Sequence, residues 1–169
     1  MDHLLEQTIQ FLKDHWLDHG VGIVAACIAD GEKIVFATSI QKGDFWYHAE
    51  RNAYDSFKLK FGEPGKNASF ISTLSPCIGD LKHRKEESCA NLISNLGIKK
   101  IHFGVLDTHH TISVDAYKQF GFQPSLTKDD NLHAICTRLM NLFTQYDSRI
   151  NQDLIGIKKE IGSAIFKGI

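Results

Sequence analysis

Two stretches of this chain hold residue types that carry out metal-assisted chemistry. One is "HAE", His48 to Glu50; the other is Pro76-Cys77, followed after eleven intervening residues, 78–88, by Cys89. One imidazole and two thiols make a donor set for zinc. Three protein ligands in a tetrahedral arrangement, with the fourth position open to water, are the pattern of a catalytic zinc site. Zinc so held lowers the pKa of a bound water far enough to supply hydroxide near neutrality. Glu50, not needed as a ligand, is free to take and return protons. Within a helix, however, side chains two apart point to roughly opposite faces, about 200° around the axis. His48 and Glu50 can share a task only at a helix end, with the histidine half outside it.

The flanking patterns predict that placement. "HAERNAYDSFKLKFG" reads as a helix with Ala53, Phe57 and Phe61 on one stripe and Gly62 as its stop, so His48 falls at its start. "ASFISTLSPC" reads as a strand that must end near Pro76, because proline cannot donate to a ladder. "SCANLISNLG" reads as a helix with Ser88 as N-cap and Gly97 as stop, which puts Cys89 in a first turn, where the helix dipole favours a thiolate. Ligands at the ends of elements can converge beside strand termini. Upstream, Leu5, Ile9, Leu12 and Trp16 mark one face of an amphipathic helix, and two apolar runs flanking Asp30-Gly31 signal a hairpin. "IKKIHFGVLD" predicts a further strand and "SVDAYKQFG" a further helix. The order is that of an α/β fold with a mixed sheet between helices. Residues 121–131 read as a boundary, giving a domain over 1–130 and a helical extension over 131–169 packed on it. The extension carries two apolar stripes: Leu132, Ile135, Leu139 and Leu142, then Ile150, Leu154, Ile157, Ile161 and Ile165. A subunit contact is the rival role for the second stripe.

A chain of 169 residues is long enough for one domain with a real core, and 43% hydrophobic with 23% charged residues is ordinary globular composition. A formal net charge of −1 supplies no global positive field, which argues against duplex binding while leaving room for a local basic patch. The first residues alternate polar and apolar, unlike a signal peptide, and no run approaches the ~18 apolar residues of a membrane span. The chain therefore reads as cytoplasmic, with reduced thiols. Cys27, in an apolar run, and Cys136, in a helical pattern, read as buried core residues.

Together "HAE", "TLSPC", a cysteine opening the next helix and "LGIKKIHFGVLD" resemble the zinc-dependent cytidine deaminase-like superfamily, over roughly residues 20–120. The resemblance implies a three-layer α/β/α sandwich around a mixed sheet, to which the C-terminal helices are additions. It implies Zn2+ held by His48, Cys77 and Cys89, with Glu50 shuttling protons while an amidine-like ring carbon is attacked and ammonia leaves. It also implies a nucleobase-like small-molecule substrate and a homodimer or larger homo-oligomer. Most of the superfamily has two residues between its cysteines. The riboflavin-biosynthesis pyrimidine deaminases lengthen this loop, and the pattern here looks more like theirs. It departs from them at Ser75, where they usually carry Glu, and in lacking their Asn-Pro motifs.

Other residues carry open alternatives. Trp46 and Tyr47, just before His48, either stack on a flat heterocycle or pack their loop onto the core. Ser75 is a further substrate-contact candidate. His109 and His110 follow a strand terminus, where α/β sites gather their ligands, and are substrate contacts or surface histidines. His83 and Arg84 lie in "KHRKEE", most simply a solvated charged loop, otherwise a lid or a phosphate-contacting segment. Two further functional readings stand beside the small-molecule deaminase. A deaminase of bases in tRNA or single-stranded nucleic acid requires a basic, aromatic groove leading to the metal. A non-catalytic zinc-stabilised or partner-binding module requires a closed site, with His83 as the fourth ligand.

Overall fold

The computed structural model describes residues 1–43, 45–79, 87–107, 113–145 and 154–169. Helix α1 (Asp2–Asp14) precedes the antiparallel pair β1 (Val21–Asp30) and β2 (Lys33–Lys42), whose two-residue connection includes Gly31 at φ +61°. A short strand, β3 (Phe45–Tyr47), leads through His48 into α2 (Ala49–Phe61). Strand β4 (Ser69–Leu74), helix α3 (Cys89–Asn95) and strand β5 (Lys100–Val105) follow. A 3-10 helix over Val114–Phe120 and strand β6 (Gln123–Leu126) complete the sheet region, and α4 (Asp130–Gln145) and α5 (Leu154–Ile165) end the described chain.

The six strands lie in the order β3-β2-β1-β4-β5-β6. The β3-β2, β2-β1 and β1-β4 pairs are antiparallel, whereas β4-β5 and β5-β6 are parallel. Side chains alternate across a strand, so β1 feeds two cores at once. Ala26 and Ile28 join Ala53 and Phe57 of α2 and Ile93 of α3 on one face. Ala25 and Cys27 join Leu5 and Ile9 of α1 and Ile135 and Leu139 of α4 on the other, where Ile165 and Phe166 at the end of α5 also pack. The result is the three-layer α/β/α sandwich around a mixed sheet, with the added C-terminal helices against one face.

Three details differ from the sequence reading. The stretch 121–131, read as a boundary, contains β6, which pairs with β5 through Lys100↔Gln123 and Phe103↔Leu126. The segment after β2 holds β3, in register with Ile40–Lys42. Both strands are too short to display a period. The helix predicted from "SVDAYKQFG" is a 3-10 helix, closed as expected by Gly121 at φ +79°. Ile150 lies outside the described residues. Among those residues no helix is long and apolar enough to cross a membrane.

Candidate metal centre and active site

The puzzle of two side chains two apart is solved by backbone conformation. His48 is the N-cap of α2, extended at φ −64° and ψ 145°, and Glu50 lies in the first turn. One residue is outside the helix and the other inside, so both can face the same space. Ala49, Ala53 and Phe57, on the same buried stripe as Glu50, pack α2 against the sheet, and Asn52 Nδ2 donates to the Thr38 carbonyl of β2 at 2.9 Å. The helix start is thereby fixed on the sheet.

Cys77 is delivered by the end of β4. Beyond Leu74, the Ser75 N–H donates to the Val105 carbonyl at 2.9 Å, and the Asp107 N–H donates to Ser75 Oγ at 2.9 Å. The carboxyl ends of the parallel strands β4 and β5 are thus tied together, which is where α/β proteins place their sites. The next carbonyl, that of Pro76, accepts the hydroxyl of Tyr117, a fully buried residue of the 3-10 helix. Cys89 is delivered by α3. Ser88 caps that helix, its Oγ accepting from the Asn91 N–H at 3.2 Å. Two other N-terminal donors of α3 point at Cys77: the Cys89 N–H to its Sγ at 3.2 Å and the Ala90 N–H to its carbonyl at 3.0 Å. Such donors are orphans in a bare helix. Here they dock the helix onto the first cysteine.

His48 Nδ1 consequently lies 3.9 Å from Cys77 Sγ and 3.4 Å from Cys89 Sγ, and all three donor atoms lie within 4.8 Å of one another. Zinc with bonds of about 2.3 Å to sulfur and about 2.0–2.1 Å to nitrogen spans tetrahedral edges of roughly 3.5–3.8 Å. The donor set and its spacing fit that ion. The electrostatics agree. Hydrogen bonding from Cys89, and then from His48, holds the Cys77 thiol well below its ordinary range, while its anionic form pushes Cys89 up. A thiolate is the form a metal needs. Glu50 is 5% exposed. Burial pushes its carboxyl up to about 7, with His48 pulling it down and Cys77 pushing it further up.

A family model for the cytidine and deoxycytidylate deaminase zinc-binding region matches residues 2–105, a span that includes all four of these residues. The chain belongs to this family. No curated protein matches this chain, but solved structures share its fold. The Thermotoga maritima diaminohydroxyphosphoribosylaminopyrimidine deaminase/5-amino-6-(5-phosphoribosylamino)uracil reductase is 22% identical, with a TM-score of 0.62 over 87% of this chain and 42% of that one. This chain thus spans 42% of that bifunctional chain's length. The dCMP deaminase of cyanophage S-TIM5, in complex with dCMP and dUMP, is 18% identical, with a TM-score of 0.55 over 75% of this chain and 95% of that one. The Aspergillus oryzae Rib2 deaminase in complex with DARIPP is 14% identical, with a TM-score of 0.56 over 83% of this chain and 95% of that one.

The remaining candidates from the sequence are placed as follows. Tyr47 directs its hydroxyl to Asp55 Oδ2 at 2.6 Å, on the next turn of α2, and Lys42 Nζ lies 3.5 Å from its ring centroid. Trp46, its neighbour on β3, is half-buried. Ser75 is buried and engaged with the backbone of Asp107. His83, Arg84, His109 and His110 lie outside the described residues. Cys27 and Cys136 are core residues whose burial pushes each thiol up to about 12. Two residues near the site were passed over in the sequence, Tyr117 and Arg51. Arg51 Nη2 donates to the Glu87 carbonyl, two residues before Cys89. Both act on backbone carbonyls, which leave no mark in a sequence.

Proposed function

We propose that this chain is a zinc-dependent hydrolytic deaminase that converts a small amino-pyrimidine, or a related base, nucleoside or nucleotide, to the corresponding oxo compound with release of ammonia. The observation that carries the reading is the meeting of His48 Nδ1, Cys77 Sγ and Cys89 Sγ within 4.8 Å, beside a buried Glu50 that is close enough to sense His48 and Cys77 electrostatically. His48, Cys77 and Cys89 would hold the zinc. When bound, zinc supplies Lewis-acid activation of water at neutral pH. The chain's own residues do the rest. His48, extended at the N-cap, presents Nδ1, and hydrogen bonding from Cys89 at the N-terminus of α3 favours thiolate at Cys77. Glu50 moves the protons.

The balance of the reaction defines that task. The oxygen of water bonds to the ring carbon, and the bond from that carbon to the exocyclic nitrogen breaks. One proton of water ends on the ring nitrogen and the other on the departing amine, which leaves as ammonia. A single carboxyl group that takes one proton and gives it back, twice, serves both transfers. Burial, which keeps its pKa from falling to that of a solvated carboxylate, suits an exchange near neutrality.

Within this class, a riboflavin-pathway pyrimidine is the reading we favour. It is supported by the long interval between Cys77 and Cys89 and by the fold shared with two deaminases of that chemistry. A homo-oligomer accompanies it. The deciding experiment is an ammonia-release screen of the zinc-loaded protein over bases, nucleosides, nucleotides, phosphoribosylaminopyrimidines and short RNA. Turnover confined to phosphoribosylaminopyrimidines is expected. Turnover of RNA alone would replace the small-molecule reading, and no turnover by verified zinc-loaded protein would return the site to a non-catalytic role.

A further inference from the structure

Eleven residues separate the two cysteine ligands. Where only two intervene, the chain itself keeps the sulfurs close. Across eleven, closing the loop costs more entropy, and Cys89 must be held by contacts from elsewhere. Two of those contacts are the N–H bonds of Cys89 and Ala90 to Cys77; a second pair meets at Glu87. Its carbonyl accepts Arg51 Nη2 from the first turn of α2, and its carboxylate Oε2 accepts Asn95 Nδ2, from the last turn of α3, at 2.9 Å. One residue is therefore tied at its backbone to the helix that begins at His48 and at its side chain to the far end of the helix that carries Cys89. Ser88, directly after Glu87, caps α3, and Cys89 follows. The chain of contacts runs from His48 through α2 to Arg51, Glu87, Ser88 and Cys89.

We infer that Arg51 is a positioning residue for the metal centre: through the Glu87 carbonyl it sets the separation of His48 and Cys89. The inference rests on the reading of His48, Cys77 and Cys89 as zinc ligands. Arginine suits the role because its planar, permanently charged group offers several donors in a rigid fork and loses little freedom per bond formed. Cys77 needs no such device. It is held at the end of β4 by the Tyr117 hydroxyl on Pro76 and by the two N–H groups of α3. Residues that orient metal ligands without touching the ion typically account for 10–100-fold in metal affinity.

The test measures zinc affinity by competition with a chromogenic chelator in wild type, Arg51→Met, Arg51→Lys and Asn95→Ala. Parallel spectra of the Co2+-loaded proteins report the cobalt–thiolate bands, and the melting temperature of each metal-free protein reports general damage. Arg51→Met is expected to weaken zinc binding about 10–100-fold and to perturb the cobalt–thiolate bands, at a nearly unchanged metal-free melting temperature. Arg51→Lys should recover much of the affinity, because one donor can still reach the carbonyl. Asn95→Ala, remote from α2, should weaken binding less and keeps the test open if Arg51→Met does not fold. Equal zinc affinity in wild type, Arg51→Met and Asn95→Ala overturns the clamp alone. A wild type that binds no zinc overturns the metal reading and the clamp with it.

Discussion

Glu50 is the residue whose environment most constrains its role. It lies in the first turn of α2, buried, two residues from a ligand candidate that is itself outside the helix. A carboxylate buried without a task would be a large desolvation cost. Glu50→Gln keeps the shape and removes the proton carrier, so it should retain zinc while ammonia release falls about 10²–10⁴-fold. Metal content and ammonia production measured on one preparation check this, and a variant within tenfold of wild type would remove the proton role. Cys89→Ser should fail to retain stoichiometric zinc, since a serine hydroxyl does not supply a soft anionic donor at neutral pH. Full zinc retention would mean that Cys89 is not a ligand. These residues were legible in the sequence because their side-chain chemistry is rare and their order along the chain is informative. Tyr117 and Arg51 were not, because each acts by donating to a carbonyl that any residue would provide.

At the scale of elements, polar contacts hold the outer helices to the sheet domain. Lys158 of α5 is 1% exposed. Its Nζ donates to the carbonyls of Trp16 at 2.9 Å and Val21 at 2.7 Å, and it lies 4.4 Å from the Trp16 ring centroid. The Trp16 indole N–H in turn donates to the Lys158 carbonyl at 2.9 Å. Burial lowers the lysine to about 8, so the charge is held at some cost and the hydrogen bonds offset it. Lys158→Ala leaves both carbonyls without their donor and opens a gap beside Trp16. It should destabilise the protein by roughly 2–4 kcal/mol, read as a lower urea midpoint. A variant within about 0.5 kcal/mol of wild type would show that burying the charge cancels its bonds. From the sequence, the isoleucine stripe of α5 was visible by its period, whereas nothing in the pattern separates the buried Lys158 from the exposed Lys159 beside it. The strands β3 and β6 were hidden for a different reason: with 3 and 4 residues they have no measurable alternation, and only their neighbours β2 and β5 make them strands.

For the whole molecule, one network joins the start of the chain to the far edge of the sheet. His102 of β5 is buried, with Nε2 2.8 Å from Asp2 Oδ1 of α1 and Nδ1 2.8 Å from Ser125 Oγ of β6, and Thr127 Oγ1 donates to the same Asp2 oxygen at 2.7 Å. Burial lowers the His102 pKa below its ordinary 6.5 despite the opposing Asp2 charge, and the Thr127 hydroxyl leads in lowering Asp2 below 3.8. Both shifts have one sign. With a depressed folded pKa, the unfolded chain takes up protons first, so the stabilisation is present above the unfolded pKa and is lost on acidification. The melting-temperature advantage of wild type over His102→Gln should therefore shrink as pH falls below about 6.5. An advantage that is constant from pH 8 to 5 would contradict it. The sequence by itself determined which side chains could bind zinc, which elements carry them and at which ends, because periodicity, caps and proline breaks act over a few residues. Only the tertiary structure decided that donors 29 and 41 residues from His48 meet at its Nδ1, that the Tyr47 hydroxyl is committed to Asp55, and that Glu87 bridges two helices. Those facts depend on packing between distant segments and on backbone groups that are the same in every residue.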